Sequence, residues 1–213
     1  MAMRGRFITL EGGEGAGKTT LQAGLASALE SQGLGIVKTR EPGGTPGAEA
    51  IRDLLLTGDG DRWSPLTEAL LFYAARVDHI ERVIEPALAR GDWVICDRFA
   101  DSTRAYQGAA GGVDAGRLES LHRAALGDLK PDLTLVVDLD PRDGLARTVS
   151  RGEDPTRFET FDEGFHDRLR AAFLQIAETE PERCVVIDGN LSPDALKAAA
   201  LSAIGTRLLA ATS

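Results

Sequence analysis

Short apolar, β-branched runs alternate along the chain with longer stretches in which apolar positions recur every three or four residues. Phe7-Ile8-Thr9-Leu10 reads as a strand. A helix follows from Lys18 to near Gly33, with Leu21, Leu25, Ala28 and Leu29 on one face. The next strand runs from Gly35 to Thr39 and leads through EPGGTPG into a helix with Thr45 as N-cap and Pro46 in its first turn. Ser64-Pro65 repeats that start signal for a longer helix, interrupted near Pro86. Trp93 to Cys96, Leu133 to Val137 and Cys184 to Ile187 are further strands, and helical periodicity fills 115–126, 141–150, 163–178 and 192–210. Strands that are apolar throughout, alternating with helices, predict an α/β protein in which helices cover both faces of a parallel sheet.

Composition adds limits to that picture. With 213 residues, 43% of them hydrophobic and 27% charged, the chain can bury one sizeable core, and a single domain over residues 1–213 is expected. Against 33 Asp+Glu stand 24 Lys+Arg, a formal charge of −9 that argues against a general affinity for nucleic acid. An anionic substrate would therefore need local cations to overcome an unfavourable overall field. The opening MAMRGRFITL lacks a secretory signal pattern, and no apolar run approaches the ~20 residues of a membrane span. Lys197 and Arg207 interrupt the last apolar helix, so it reads as a packed surface helix. Cys96 and Cys184, inside WVICD and CVVID, read as buried thiols of a reduced, cytoplasmic protein.

The strongest chemical signal is GGEGAGKT at residues 12–19, which fits G-x-x-x-x-G-K-[ST] at every fixed position, with a strand before it and a helix after it. Glycines at 12, 15 and 17 let successive N–H groups point into one concavity, and the following helix aims the positive end of its dipole at the same point. Gly12, Gly13, Glu14, Gly15, Ala16, Gly17, Lys18, Thr19 and Thr20 are accordingly the expected ATP-binding residues. Lys18 supplies a charge for the β and γ phosphates, and the Thr19 hydroxyl can ligate Mg²⁺. This motif establishes nucleoside triphosphate binding and leaves the reaction open.

The remaining candidates lie where an acceptor would sit. Asp97-Arg98-Phe99 ends the third strand, at the carboxyl edge where ligands bind in such sheets. Asp97 has the character of a carboxylate that holds Mg²⁺, or else caps the next turn; Arg98 could fork onto phosphate or form a surface ion pair. Phe72 and Arg76, four apart on the long helix, share a face that suits a base stacked on one and bonded at its edge by the other. Core packing is the alternative for Phe72. His79, His122 and His166 are scattered and suggest no catalytic dyad.

The segments EGGEGAGKTT, TREPGGT, LLFYAAR, DRF-x-x-STRAYQG and PDLTLVVDLDP, in this order and spanning nearly the whole chain, resemble the bacterial thymidylate kinase family. The resemblance implies a P-loop kinase fold with a five-stranded parallel sheet, a small mobile lid at about residues 150–163, and a homodimer. It implies transfer of the γ-phosphate of ATP to dTMP, with Mg²⁺, no nucleic acid and no membrane. Among site residues it implies that Phe72 stacks on thymine and Arg76 bonds its edge, that Arg98 grips the acceptor phosphate with Arg40 or Arg52 nearby, and that Thr103 and Gln107 contact the base. Tyr106 would pack the deoxyribose, Glu14 would meet the sugar hydroxyl, and Glu41 would support the Mg²⁺ region. Some members place an arginine within the P-loop. Here Gly13, Glu14, Gly15 and Ala16 supply none, and the variant resembled brings it from the lid, where SRGEDPTRFE offers Arg151 and Arg157.

The chemistry fits these residue types. A monophosphate has a second pKa of about 6 and is already ionised at neutral pH, so no general base is required. Positioning and charge neutralisation by Lys18, Arg98 and a lid arginine carry the reaction instead. The rivals are another nucleoside monophosphate kinase or, in a different class, a P-loop ATPase switch that binds partners rather than an acceptor nucleotide.

Overall fold

The structure, a computed structural model, describes residues 4–59, 61–150 and 156–209. Among them, strands β1 (Phe7–Glu11), β2 (Ile36–Arg40), β3 (Trp93–Asp97), β4 (Leu133–Asp138) and β5 (Cys184–Asp188) form one sheet in the order β2-β3-β1-β4-β5. Every neighbouring pair is parallel, with Leu10 opposite Asp97 on one side and Leu135 on the other. All five residues of β1 are buried, as a central strand covered on both faces requires.

Alternate residues of the strands serve different cores. Ile8, Leu10, Ile95 and Leu135 pack with Leu21, Leu25 and Leu29 of α1 (Lys18–Glu30) and Leu196 and Ile204 of α9 (Pro193–Ile204). On the opposite face, Phe7, Val94 and Cys96 meet Ile84 and Leu88, the latter on α4 (Glu85–Arg90). Further along that face, Val136 and Tyr106 pack against Leu169 and Phe173 of α8 (Glu163–Thr179). The helices α2 (Pro46–Leu56), α3 (Pro65–His79), α6 (Ala115–Leu126) and α7 (Pro141–Ser150) complete the layers, with α5 (Ala100–Thr103) a single turn after β3.

The expected start signals operate locally. The Thr45, Ser64 and Ser192 side chains accept from the N–H groups of Ala48, Thr67 and Ala195, three residues on in each case. Pro86, expected to interrupt the long helix, instead stands in the first turn of α4, where its missing N–H is tolerated. A π-turn at Ile80–Ile84 widens the helix directly ahead of it. A second π-turn, Arg104–Ala110, continues α5 through a segment the periodicity left without an element. Among the described residues, no helix is long and apolar enough to cross a membrane, and both cysteines are buried and free.

Candidate active site

The carboxyl ends of β1, β2 and β3 open into one cavity lined on one side by Glu14, Thr19 and Asp97 and on the other by Phe72, Arg76 and Phe158. Of the phosphate-loop motif, Glu14 and Thr19 reach its lining. Gly15 (φ 65°) and Gly17 (φ 88°) take left-handed backbone, which a side chain would strain. Gly17 is the N-cap of α1 and offers no side-chain cap, so nothing from the cap residue occupies the helix terminus where an anion would bind. Lys18 Nζ donates to the carbonyls of Gly12 (3.1 Å) and Gly13 (2.7 Å), and the Thr19 hydroxyl donates to Asp97 Oδ2 at 2.8 Å. Ala16 is buried in the core beneath the loop, and Thr20 is exposed on the first turn of α1.

Arg98 joins this loop to the acceptor side. Its φ of 69° places a non-glycine residue in the left-handed region at a cost of about 1–2 kcal/mol. Buried Glu11 holds the turn that follows, accepting from Phe99 N (2.8 Å) and the Ser102 hydroxyl (2.6 Å). Burial, with Asp101 nearby, pushes the Glu11 carboxyl up to about 8. Arg98 donates to Gly12 O at 3.0 Å and to Glu14 Oε1 at 3.0 Å, and Glu14 also accepts from the Tyr106 hydroxyl at 2.6 Å. Burial works against the Glu14 carboxylate, but Arg98, Lys18 and that hydroxyl hold it down at about 2. Burial, with Arg98 beside it, pulls the Lys18 ammonium down to about 8.

On the acceptor side, Thr103, Tyr106, Gln107, Arg40 and Arg52 line the same cavity. Phe72 is half-buried, its ring 6.2 Å from that of Phe158, so one of its surfaces belongs to the cavity rather than the core. Arg76 is 1% exposed; Nε donates to Glu41 Oε2 at 2.6 Å, and Nη2 to Phe99 O and the Thr103 hydroxyl. Its Nη1 has no partner among the described residues. Arg40 pairs with Glu49, and Arg52 donates to Pro42 O at 2.7 Å.

Two of the expected site residues are paired with protein groups in this structure. The Glu41 carboxylate is engaged by other side chains: one oxygen accepts from the Arg76 guanidinium and the other faces His79 Nδ1 at 3.0 Å, all three side chains being buried. Its work is to anchor Arg76. Arg157 is buried against the wall of the cavity. It is 3% exposed, its Nη2 is bonded to Glu68 Oε1, and its Nε donates to Leu55 O at 3.1 Å. Thr156 and Phe158, on either side of it, are wall residues of the cavity. Arg151 lies outside the described residues. Phe158 lines the cavity, and Glu11 and Glu68 bond to its lining residues Phe99, Ser102 and Gln107; the sequence reading singled out none of the three. For Glu68 the signal was a lone carboxylate four residues before Phe72, on the face shared with Arg76.

A family profile described as Thymidylate kinase matches residues 10–200. The thymidylate kinase of Caulobacter vibrioides is 56% identical over 205 residues, covering 96% of this chain and 98% of that protein. That of Bradyrhizobium diazoefficiens is 52% identical over 208 residues, 97% of this chain and 91% of its own length. This chain belongs to the thymidylate kinase family. The crystal structure of thymidylate kinase from Ehrlichia chaffeensis superposes with a TM-score of 0.78 at 33% identity, over 94% of this chain and 99% of that one. The thymidylate kinase match takes in the phosphate loop, Asp97-Arg98, α3 and the 156–158 wall, so every cavity residue named above falls within it.

Proposed function

We infer that the protein transfers the γ-phosphate of ATP to dTMP, giving dTDP on the route to dTTP and DNA. The observation that supports the acceptor half is Arg76, a lining residue four positions from Phe72 on α3, whose Nη1 is a buried donor without a partner among the described residues. Leaving such a group unpaired costs about 1–3 kcal/mol, and a base carbonyl at that point relieves it. Arg40, Arg52 and Arg98 supply the local positive charge that a protein of net charge −9 needs to draw in a nucleotide phosphate.

In this reading, Lys18 exchanges its two loop carbonyls for β and γ phosphate oxygens, and Arg98 spans from the loop to the acceptor phosphate. Thr19 and Asp97 present hydroxyl and carboxylate oxygens 2.8 Å apart, a hard donor set that suits Mg²⁺. Mg²⁺ held there supplies neutralisation of the triphosphate charge. Because the acceptor phosphate is already ionised, these side chains orient and neutralise rather than move protons. A coupled assay with purified protein, ATP, Mg²⁺ and each nucleoside monophosphate tests the reading. Turnover is expected to be highest with dTMP; equal or faster turnover of AMP, GMP or CMP refutes it.

Phe72→Ala is expected to weaken dTMP binding about 5- to 150-fold, the worth of one base–aromatic stack, with kcat at saturating dTMP changed far less. Calorimetric titration with dTMP measures this, and unchanged affinity would assign Phe72 to packing alone. A homodimer belongs to the same reading. Leu70 on α3, 51% exposed, is a candidate contact, and sedimentation of Leu70→Glu is expected to show loss of the dimer.

A further inference from the structure

Glu68, Phe72 and Arg76 stand one helical turn apart along the same face of α3. The Glu68 carboxylate is buried and joins two distant segments. Oε1 accepts from Arg157 Nη2, in the turn Arg157–Thr160 inside the expected lid, and Oε2 accepts from Gln107 Nε2 at 3.0 Å, in the π-turn after α5. A carboxylate paired with a guanidinium has no proton to give, so only the amino end of the Gln107 amide can face it. That fixes the amide. Its carbonyl end, Oε1, is left for the cavity that Gln107 lines, and among the described residues no hydrogen bond reaches it. Arg76, which lines the same cavity, carries a buried donor, Nη1, with no partner among the described residues. One acceptor and one donor thus meet an incoming base edge. Thymine and uracil present the complement, an N3–H beside a C4 carbonyl; cytosine reverses both, with a bare N3 beside an amino group.

We propose that the buried Arg157–Glu68 pair is a positioning device for specificity: it locks Gln107 with its carbonyl toward the base, and so selects a base bearing N3–H over cytosine. The proposal rests on the cavity being the dTMP site. Glu68 and Arg157 touch no substrate and act through Gln107.

The test compares unaltered and Glu68→Gln enzymes with ATP, Mg²⁺ and either dTMP or dCMP. The amide introduced by Glu68→Gln both donates and accepts, which frees Gln107 to turn. The ratio of kcat/KM for dTMP over dCMP is expected to fall about tenfold or more, chiefly through a higher KM for dTMP. Equal losses with both substrates, leaving the ratio unchanged, overturn the proposal, because a carboxylate that only supports the fold lowers both alike. Failure of the unaltered enzyme to phosphorylate dTMP instead overturns the dTMP reading. Circular dichroism monitors folding of the variant. If Glu68→Gln does not fold, a crystal structure of the unaltered enzyme with dTMP decides. Gln107 lying between Glu68 and thymine N3, within hydrogen-bond reach of both, supports the proposal; a base held without Gln107, or a Gln107 swung away from Glu68, overturns it.

Discussion

Turnover by the Arg151→Ala enzyme at saturating ATP and dTMP is expected to fall by about 10³- to 10⁵-fold, the range for a cation that meets a phosphoryl group in transfer. No arginine stands between Gly12 and Lys18, and Arg98 is engaged at Gly12 O and Glu14. Arg157 is committed to Glu68. Arg151 is the other arginine of SRGEDPTRFE, and it follows directly on α7 in the sequence. Rapid-quench single turnovers isolate the chemical step. Arg157→Ala is expected to leave that step near its original rate while raising KM for dTMP, since its partner belongs to the base wall. A collapse of the step in Arg157→Ala with none in Arg151→Ala would reverse the two assignments.

Lys18→Met is expected to lower kcat by about 10²- to 10³-fold, as loss of one preorganised charge-stabilising donor does elsewhere. The pH dependence identifies the group. Burial, and next Arg98, hold the Lys18 ammonium at about 8 in the free enzyme, so the charged form that binds phosphate dominates below that pH and is lost above it. The kcat/KM for ATP is therefore expected to decline as pH rises through about 8, whereas kcat stays level there, because bound triphosphate restores the proton. Lys18→Met should lack the declining limb. A limb that persists in the variant belongs to another group.

The phosphate loop is legible in sequence because its strand, glycines, lysine and helix lie within one short window, and backbone geometry fixes their spacing. The helix starts at Thr45, Ser64 and Ser192 are legible for the same reason, each hydroxyl accepting from an N–H three residues away. Phe72 and Arg76 follow from a four-residue spacing. Their supports do not. Glu41 is 35 positions from Arg76, and Glu68 is 89 from Arg157, so only the folded chain brings these charges together. Read alone, a carboxylate just after β2 resembles a metal ligand, and an arginine in a loop resembles a phosphate hook. In the folded chain both are buried and paired, because a charge taken out of water requires a partner. The π-turn at Arg104–Ala110, which carries Tyr106 and Gln107, departs from the 3.6-residue period and leaves no recognisable pattern.

Gly15 of the phosphate loop and Gly144 of α7 touch backbone to backbone. A Cβ added at Gly15 would lie 2.0 Å from Gly144 O, and one at Gly144 would lie 2.2 Å from Glu14 O. Each position is already as small as an amino acid can be, so no compensating truncation across the seam can rescue an enlarged partner. A single methyl at either glycine must pry the nucleotide cradle and α7 apart, and at Gly144 the damage reaches the phosphate loop from a helix outside it.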